Sequence, residues 1–425
     1  MASDNPQHNR QAWSVLIVST LAFTVCFMVW MMFGVIGIPL KKELGLNATQ
    51  FGLLTATPVL TGSLVRVPLG IWTDKYGGRI VMTLLMASTV PAIFLMAYAT
   101  EFWHFLVIGL FVGLAGGSFS VGTPYVARWF PKHQQGMAMG IYGAGNSGAA
   151  VNKFVAPAIL VAFGWTMVPQ VYAAIMLGTV IVFWLFSHSD PSHLVPANTR
   201  FVDQLQALKD PTVLKYCQYY SIVFGGYVAL SLWMVQYYVG EYGLDIRVAA
   251  LLAACFSLPG GVLRAIGGWL SDKYGAHAVT WWVMWVSWIC LFLLSYPQTQ
   301  FTVLTVEGER TFHIGLNVYA FTALMFVLGI AWAFGKASVF KYISDDYPKN
   351  IGTISGIVGL AGGLGGFVLP IMFGALLDIT GVRSSAFMLM YGVVWVSLIW
   401  MYFTEVRRRQ VLGTHAGEVA ASARV

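Results

Sequence analysis

Residues 63–79 read S-L-V-R-V-P-L-G-I-W-T-D-K-Y-G-G-R, and residues 261–275 read G-V-L-R-A-I-G-G-W-L-S-D-K-Y-G. Each stretch sets an arginine inside an apolar run, a glycine four residues on (Gly70, Gly268) and a terminal Asp-Lys-Tyr-Gly. Arg66 precedes Asp74 by eight residues, as Arg264 precedes Asp272, and the copies lie 198 residues apart. Burying one kind of cation twice, at one depth, needs a reason, and the reason depends on the surrounding medium.

Composition identifies that medium. Of 425 residues, 58% are hydrophobic and 10% charged, with a mean hydropathy of +0.71; soluble domains carry about 25% charged residues. Twelve apolar stretches are long enough for membrane helices: 13–40, 51–73, 80–100, 103–129, 134–163, 166–187, 213–240, 247–271, 277–296, 314–341, 350–378 and 384–404. The first exceeds a signal-peptide core and has no small-residue cleavage site after it, so it is expected to stay.

The expectation is an all-α membrane protein with twelve transmembrane helices in two six-helix bundles. The N-terminal bundle spans 1–187, a cytoplasmic linker 188–212, the C-terminal bundle 213–404 and a cytoplasmic tail 405–425. Fifteen Lys or Arg fall on the side of the N-terminus, and five (Lys41, Lys42, Arg247, Arg310, Arg383) fall opposite. By the positive-inside rule both termini are cytoplasmic, and the net charge of +7 reports topology rather than a nucleic-acid partner. Cys26, Cys217, Cys255 and Cys290 all sit in apolar spans without metal-ligand spacing and read as small buried hydrophobes. No metal site, cofactor or enzymatic constellation is expected.

A second internal match, F-P-K-H-Q-Q-G-M-A-M-G (130–140) with Y-P-K-N-I-G-T-I-S-G (347–356), precedes glycine-rich spans in both halves. Repeats of this kind build secondary transporters, with the substrate site at the repeat interface. The G-I-W-T-D-K-Y-G-G-R stretch (70–79) and its partner (268–275) resemble the loop motif of the major facilitator superfamily, which joins its second to third and eighth to ninth helices. Asp74 and Asp272 would then sit at cytoplasmic helix ends, capping the next helix or pairing with a base to latch the bundles. Gly70 and Gly268 would permit close helix approach. With Arg79, these residues read as gating rather than ligand positions.

Four cations remain inside the spans (Arg66, Lys153, Arg264, Lys336), and all seventeen acidic residues fall in loops, tails or helix ends. Eight residues of helix rise about 12 Å, so both arginines reach close to the midplane of a core about 30 Å thick. An arginine there costs about 2.5–3.5 kcal/mol or more. Either helix carbonyls pair with each guanidinium, or the partner is an anionic substrate held between the halves. The planar, permanently charged fork suits the second.

A-G-G-S-F-S-V-G-T-P-Y-V-A-R-W-F-P-K (115–132), G-I-Y-G-A-G-N-S-G-A-A-V-N-K-F-V-A-P (140–157) and A-G-G-L-G-G-F-V-L-P (361–370) are similar to the signatures of the nitrate/nitrite porter family (NarK-type transporters). The resemblance covers nearly the whole chain. It implies nitrate and nitrite as partners in a narrow positive pore of a bacterial inner-membrane protein. It also implies that Arg66 and Arg264 hydrogen-bond the anion, that Phe119, Tyr220 and Phe224 contact its flat faces, and that Asn146 donates to it. Gly145, Gly148, Gly362 and Gly363 would let the bundles rock. From the residues alone, Tyr220 and Phe224 share a helix face, each aromatic could equally pack against lipid, and Asn146 could bond a neighbouring helix.

Lys153 and Lys336 exceed what the two arginines need. Beside other cations in a low-dielectric pore, a lysine is the group that can release and regain a proton. Both are candidates for proton coupling, and protons join the expected partners. Proton-linked nitrate import is the leading expectation. Nitrate/nitrite exchange, transport of another small anion such as formate or oxalate, and a non-transporting nitrate receptor are the alternatives.

Overall fold

The computed structural model describes residues 6–189, 207–347 and 351–406. Most of the expected linker and nearly all of the expected tail lie outside them. Helices dominate because a chain crossing hydrocarbon must satisfy its backbone polar groups internally. The spans are α1 (Pro6–Glu43), α2 (Ala48–Tyr76), α3 (Gly78–Tyr98), α4 (Phe102–Ala127), α5 (Gln134–Phe163) and α6 (Met167–Phe186) in the first half. The second half contains α7 (Pro211–Tyr242), the bent pair α8 (Ile246–Val262 and Arg264–Tyr274, 47°), α9 (Ala276–Leu294), α10 (Val318–Asp346), α11 (Ile354–Thr380) and α12 (Ser385–Glu405). Eleven single spans and one bent pair match the twelve expected.

The 198-residue repeat is structural as well as sequential. Both α2 and α8 break at the residue before the arginine, Val65 and Leu263, and restart at Arg66 and Arg264. Both end on a glycine of positive φ, Gly77 at 85° and Gly275 at 86°, a conformation that disfavours a side chain. Both begin on a capping side chain: Asn47 accepts from the Gln50 amide and Asp245 from the Arg247 amide. In α2, Pro68 has no N–H to continue the ladder across the break. In α8, the pair Gly260–Gly261 sits at the bend.

One element was not expected. Between α9 and α10, where the sequence reads as a loop, β1 (Thr299–Thr305) and β2 (Gly308–Ile314) form an antiparallel hairpin with Phe301 opposite Phe312. Alternating Thr, Phe and Val suit a pleated surface, and Gly308 at φ 115° makes the turn. Among the described residues this small hairpin is the one departure from the expected all-α membrane fold.

The halves meet most closely on the side opposite the Asp-Lys-Tyr-Gly turns. There α2 packs along α11, and the α5–α8 contact mirrors it. Small residues set the separation: a Cβ on Gly52 would strike the Pro370 carbonyl, one on Gly363 the Ser63 side chain, and one on Gly261 the Ser147 backbone. Asp378, at the end of α11, adds a polar lock across the same seam. It accepts from the amides of Ala48 (3.0 Å) and Thr49 (2.8 Å) and from the Thr49 hydroxyl (2.6 Å).

Candidate functional site

The breaks in α2 and α8 place both arginines on the seam between the halves. Arg66 is buried, with its guanidinium over the Phe224 ring (4.9 Å) and beside Trp30 (5.9 Å). One of its N–H groups reaches the Gly359 carbonyl of α11 at 3.0 Å, so helix carbonyls supply part of its pairing. Among the described residues its buried Nε has no acceptor, which is uncommon for a charged donor. Arg264 is half-buried, between Phe119 and Phe340 at 5.2 Å each. Among the described residues it has no hydrogen-bond or ion-pair partner, and no carboxylate pairs with Arg66, Lys153 or Lys336.

Each arginine therefore stacks on a ring from the opposite half: Arg66 on Phe224 of α7, Arg264 on Phe119 of α4. The rings connect the two cations. Phe224 stacks on Tyr220 (5.1 Å, 9°), and Tyr220 meets Phe340 edge-on (5.2 Å). Phe224 lies in a π-helical turn, Ser221–Gly226, a rare geometry often found at functional sites. Gly362 makes room for this pair, since a Cβ there would crowd both Tyr220 and Phe224. Two guanidinium groups and these aromatic faces thus share one electropositive region on the seam between the halves.

The remaining expected residues are placed less uniformly. Asn146 is buried, but its amide donates at 2.8 Å to Gly143 within its own helix, while its carbonyl accepts from Tyr227 at 3.3 Å. Lys336 donates to the Gly260 carbonyl at the α8 bend (2.6 Å), with its ammonium 3.5 Å above the Tyr227 ring. It therefore reaches Asn146 through one tyrosine. Lys153 instead bonds the Ala149 carbonyl of its own helix at 3.1 Å.

The gating residues divide in the same way. Gly145 and Gly148 press α5 onto α1, where a Cβ would strike Phe23 and the Thr24–Met28 backbone, so both hold the first half together. Gly363 faces Ser63 of the other half. Gly70 and Gly268 do not mediate close approach: a Cβ at either position meets nothing within 4 Å. Arg79 stacks on Trp184 (4.2 Å) and donates to its carbonyl, anchoring the end of α6. Asp74 pairs with Arg128, the residue that follows α4, and Asp272 lies 3.4 Å from Lys341 of α10. Both pairs join helices of one half.

Several residues escaped the sequence reading. Trp30 and Phe340 complete the aromatic walls, yet nothing separates them from the other aromatics of an apolar chain. Glu405, assigned to the start of the tail, is mostly shielded from solvent in the last turn of α12. It pairs with Lys215 (2.7 Å), Tyr342 (2.5 Å) and His277, tying α7, α9, α10 and α12 together.

Comparison with known proteins agrees with this architecture. Residues 18–370 match the family model of the Major Facilitator Superfamily. The chain belongs to that superfamily. Within it, this facilitator groups with the nitrate/nitrite transporters. It is 37% identical to a "Probable nitrate/nitrite antiporter NarK1" of Thermus thermophilus, over 98% of this chain and 96% of the relative. It is 30% identical to the "Nitrite extrusion protein" of Bacillus subtilis, over 92% and 94%. In fold it is similar to a bacterial homologue of the human lysosomal transporter Spinster, in an inward-facing and occupied conformation. That match has a TM-score of 0.67 at 17% identity, covering 92% of this chain and 96% of the other.

Proposed function

We propose that this facilitator carries nitrate and nitrite across a bacterial plasma membrane by alternating access, with the Asp-Lys-Tyr-Gly turns and both termini in the cytoplasm. The observation that carries the reading is the pair of arginines, one from each half, each stacked on a ring of the other half and lacking any carboxylate. A trigonal anion between them supplies the balancing charge, accepts from both guanidinium forks and packs against the aromatic walls. The names of the relatives support nitrate and nitrite over other small anions. Because the anion bridges the halves, its binding draws them together and its release frees them to rock, which is the differential contact that alternating access requires.

Import is linked to protons in this reading, with Lys336 as the carrier. Lys336 faces the Tyr227–Asn146 path beside Arg264, whereas Lys153 turns back on its own helix. Protonated Lys336 favours anion entry; its release of the proton lets the emptied carrier reset without a counter-anion. Exchange of nitrate for nitrite is the second reading, favoured by the name of the Thermus relative. Nitrate uptake into liposomes free of internal anion substrate, with and without an inward proton gradient, separates the two. Gradient-driven uptake that Lys336→Gln abolishes is expected. Uptake that ignores the gradient but requires internal nitrite would establish exchange.

A further inference from the structure

On the outer flank of the second half lies a cavity of about 540 Å³, bounded by α8, α9 and α10 and not lined by any residue of the anion site. Its wall runs from Leu270 and Tyr274 of α8 along α9 between Ala278 and Val286, and back along α10 from Phe334 to Val327. Local sequence explains the hollow. Gly267 seats the turn-side half of α8 against the Phe334 backbone, because a Cβ there would approach Phe334 Cα to 2.5 Å. Above that contact, the alanines at 278 and 331 are too short to fill the space between α9 and α10. Every lining side chain is apolar or aromatic, and Trp282 and Tyr274 stay 67% and 59% exposed at its rim.

We propose that this groove holds one acyl chain of an anionic phospholipid from the leaflet on the turn side, with its phosphate at Lys273. Two features point to that occupant. The first is length: from Ala278 to Val286 the helix rises about 12 Å, close to the ~15 Å hydrocarbon depth of a single leaflet. The groove starts at the Gly275 turn, where α9 enters the membrane, and stops near mid-span. A flexible chain fits such a half-depth slot, whereas a partner helix needs a face that spans both leaflets. The second is charge. Lys273 adjoins Tyr274 at the mouth, with its ammonium 5.1 Å from that ring and 5.2 Å from Trp269. Among the described residues no carboxylate pairs with it, while nearby Lys341 is shared between Asp272 (3.4 Å) and Asp345 (3.0 Å). Lysine among tryptophan and tyrosine at a helix end is the composition that meets headgroups.

The site bears on the carrier through α8. Leu270 lies six residues after Arg264 on the same straight half-helix, about 9 Å along its axis. A chain seated against Leu270 buttresses the segment that aims Arg264. The proposal does not depend on which anion is carried.

Native mass spectrometry of the full chain in detergent, with equal phosphatidylglycerol and phosphatidylcholine of matched acyl chains, tests it. One phosphatidylglycerol is expected to be retained in preference. Lys273→Gln, a surface change, should lower that preference roughly fivefold, the worth of one lysine at an anionic surface. Ala331→Trp, or the milder Ala278→Leu at the rim, should displace the bound lipid by filling the groove. Equal retention of both lipids by the unaltered chain, a preference that survives Lys273→Gln, or retention unchanged in both filling variants would overturn the proposal.

Discussion

Removing the Asp378 carboxylate should open the side of the protein opposite the turns. Asp378 belongs to α11 in the second half, yet it accepts three hydrogen bonds from the first turn of α2 in the first half. It acts as a helix cap donated across the seam, and the cap exists only while the halves meet there. A capping side chain is worth about 0.5–2 kcal/mol, and its charge at a helix N-terminus adds about 0.3–1 kcal/mol. Asp378 is solvent-exposed, so the total belongs at about 1–2 kcal/mol. At about 1.4 kcal/mol per factor of ten, Asp378→Ala should raise the ratio of far-side-open to far-side-closed protein about 5- to 30-fold. Asp378→Asn keeps one acceptor and should do less. Spin labels at Thr100 and Arg247, in a background without the native cysteines, would report the separation of the halves by double electron–electron resonance. A distance distribution unchanged in Asp378→Ala would refute the reasoning, because a carboxylate that locks the seam cannot be removed without shifting the balance.

The other expectations follow from the site and its supports. Arg66→Lys and Arg264→Lys keep the charge but lose the planar fork and much of the ring contact, so nitrate binding should weaken about 10- to 100-fold by calorimetry; near-normal affinity would reduce the arginines to a general positive potential. Asp74→Asn breaks a partly exposed pair with Arg128 worth up to about 1 kcal/mol, so turnover in proteoliposomes should slow by about fivefold at most while equilibrium binding is kept; equal losses of both would contradict a gating role. Glu405→Gln leaves Lys215 buried without its counter-charge and should cost about 3–5 kcal/mol, read as a lower unfolding midpoint in detergent; an unchanged midpoint would show the cluster to be dispensable.

The sequence alone determined the medium, the twelve spans and the two-fold repeat, because these depend on local quantities: run lengths of apolar residues, a recurring motif and the charge of loops. It also placed Arg66 and Arg264 at equal depth, since helix rise converts eight residues into a distance. Tyr220 and Phe224 were legible as one face for the same reason. What lies across the helices was not. Only the tertiary structure decided that Phe119 and Phe224 each serve the arginine of the opposite half, and that Phe340 and Trp30 join them. It likewise separated Lys336, aimed at the α8 bend, from Lys153, which bonds its own helix. The motif aspartates went to partners within their own halves, while Asp378, unremarkable in the sequence, locks the seam. Gly70 and Gly268 share the motif's spacing but face open space, whereas Gly52 and Gly363 sit where the two halves touch. Spacing along one helix is a property of that helix; which faces are pressed together depends on how all twelve pack, and no single stretch of chain encodes that.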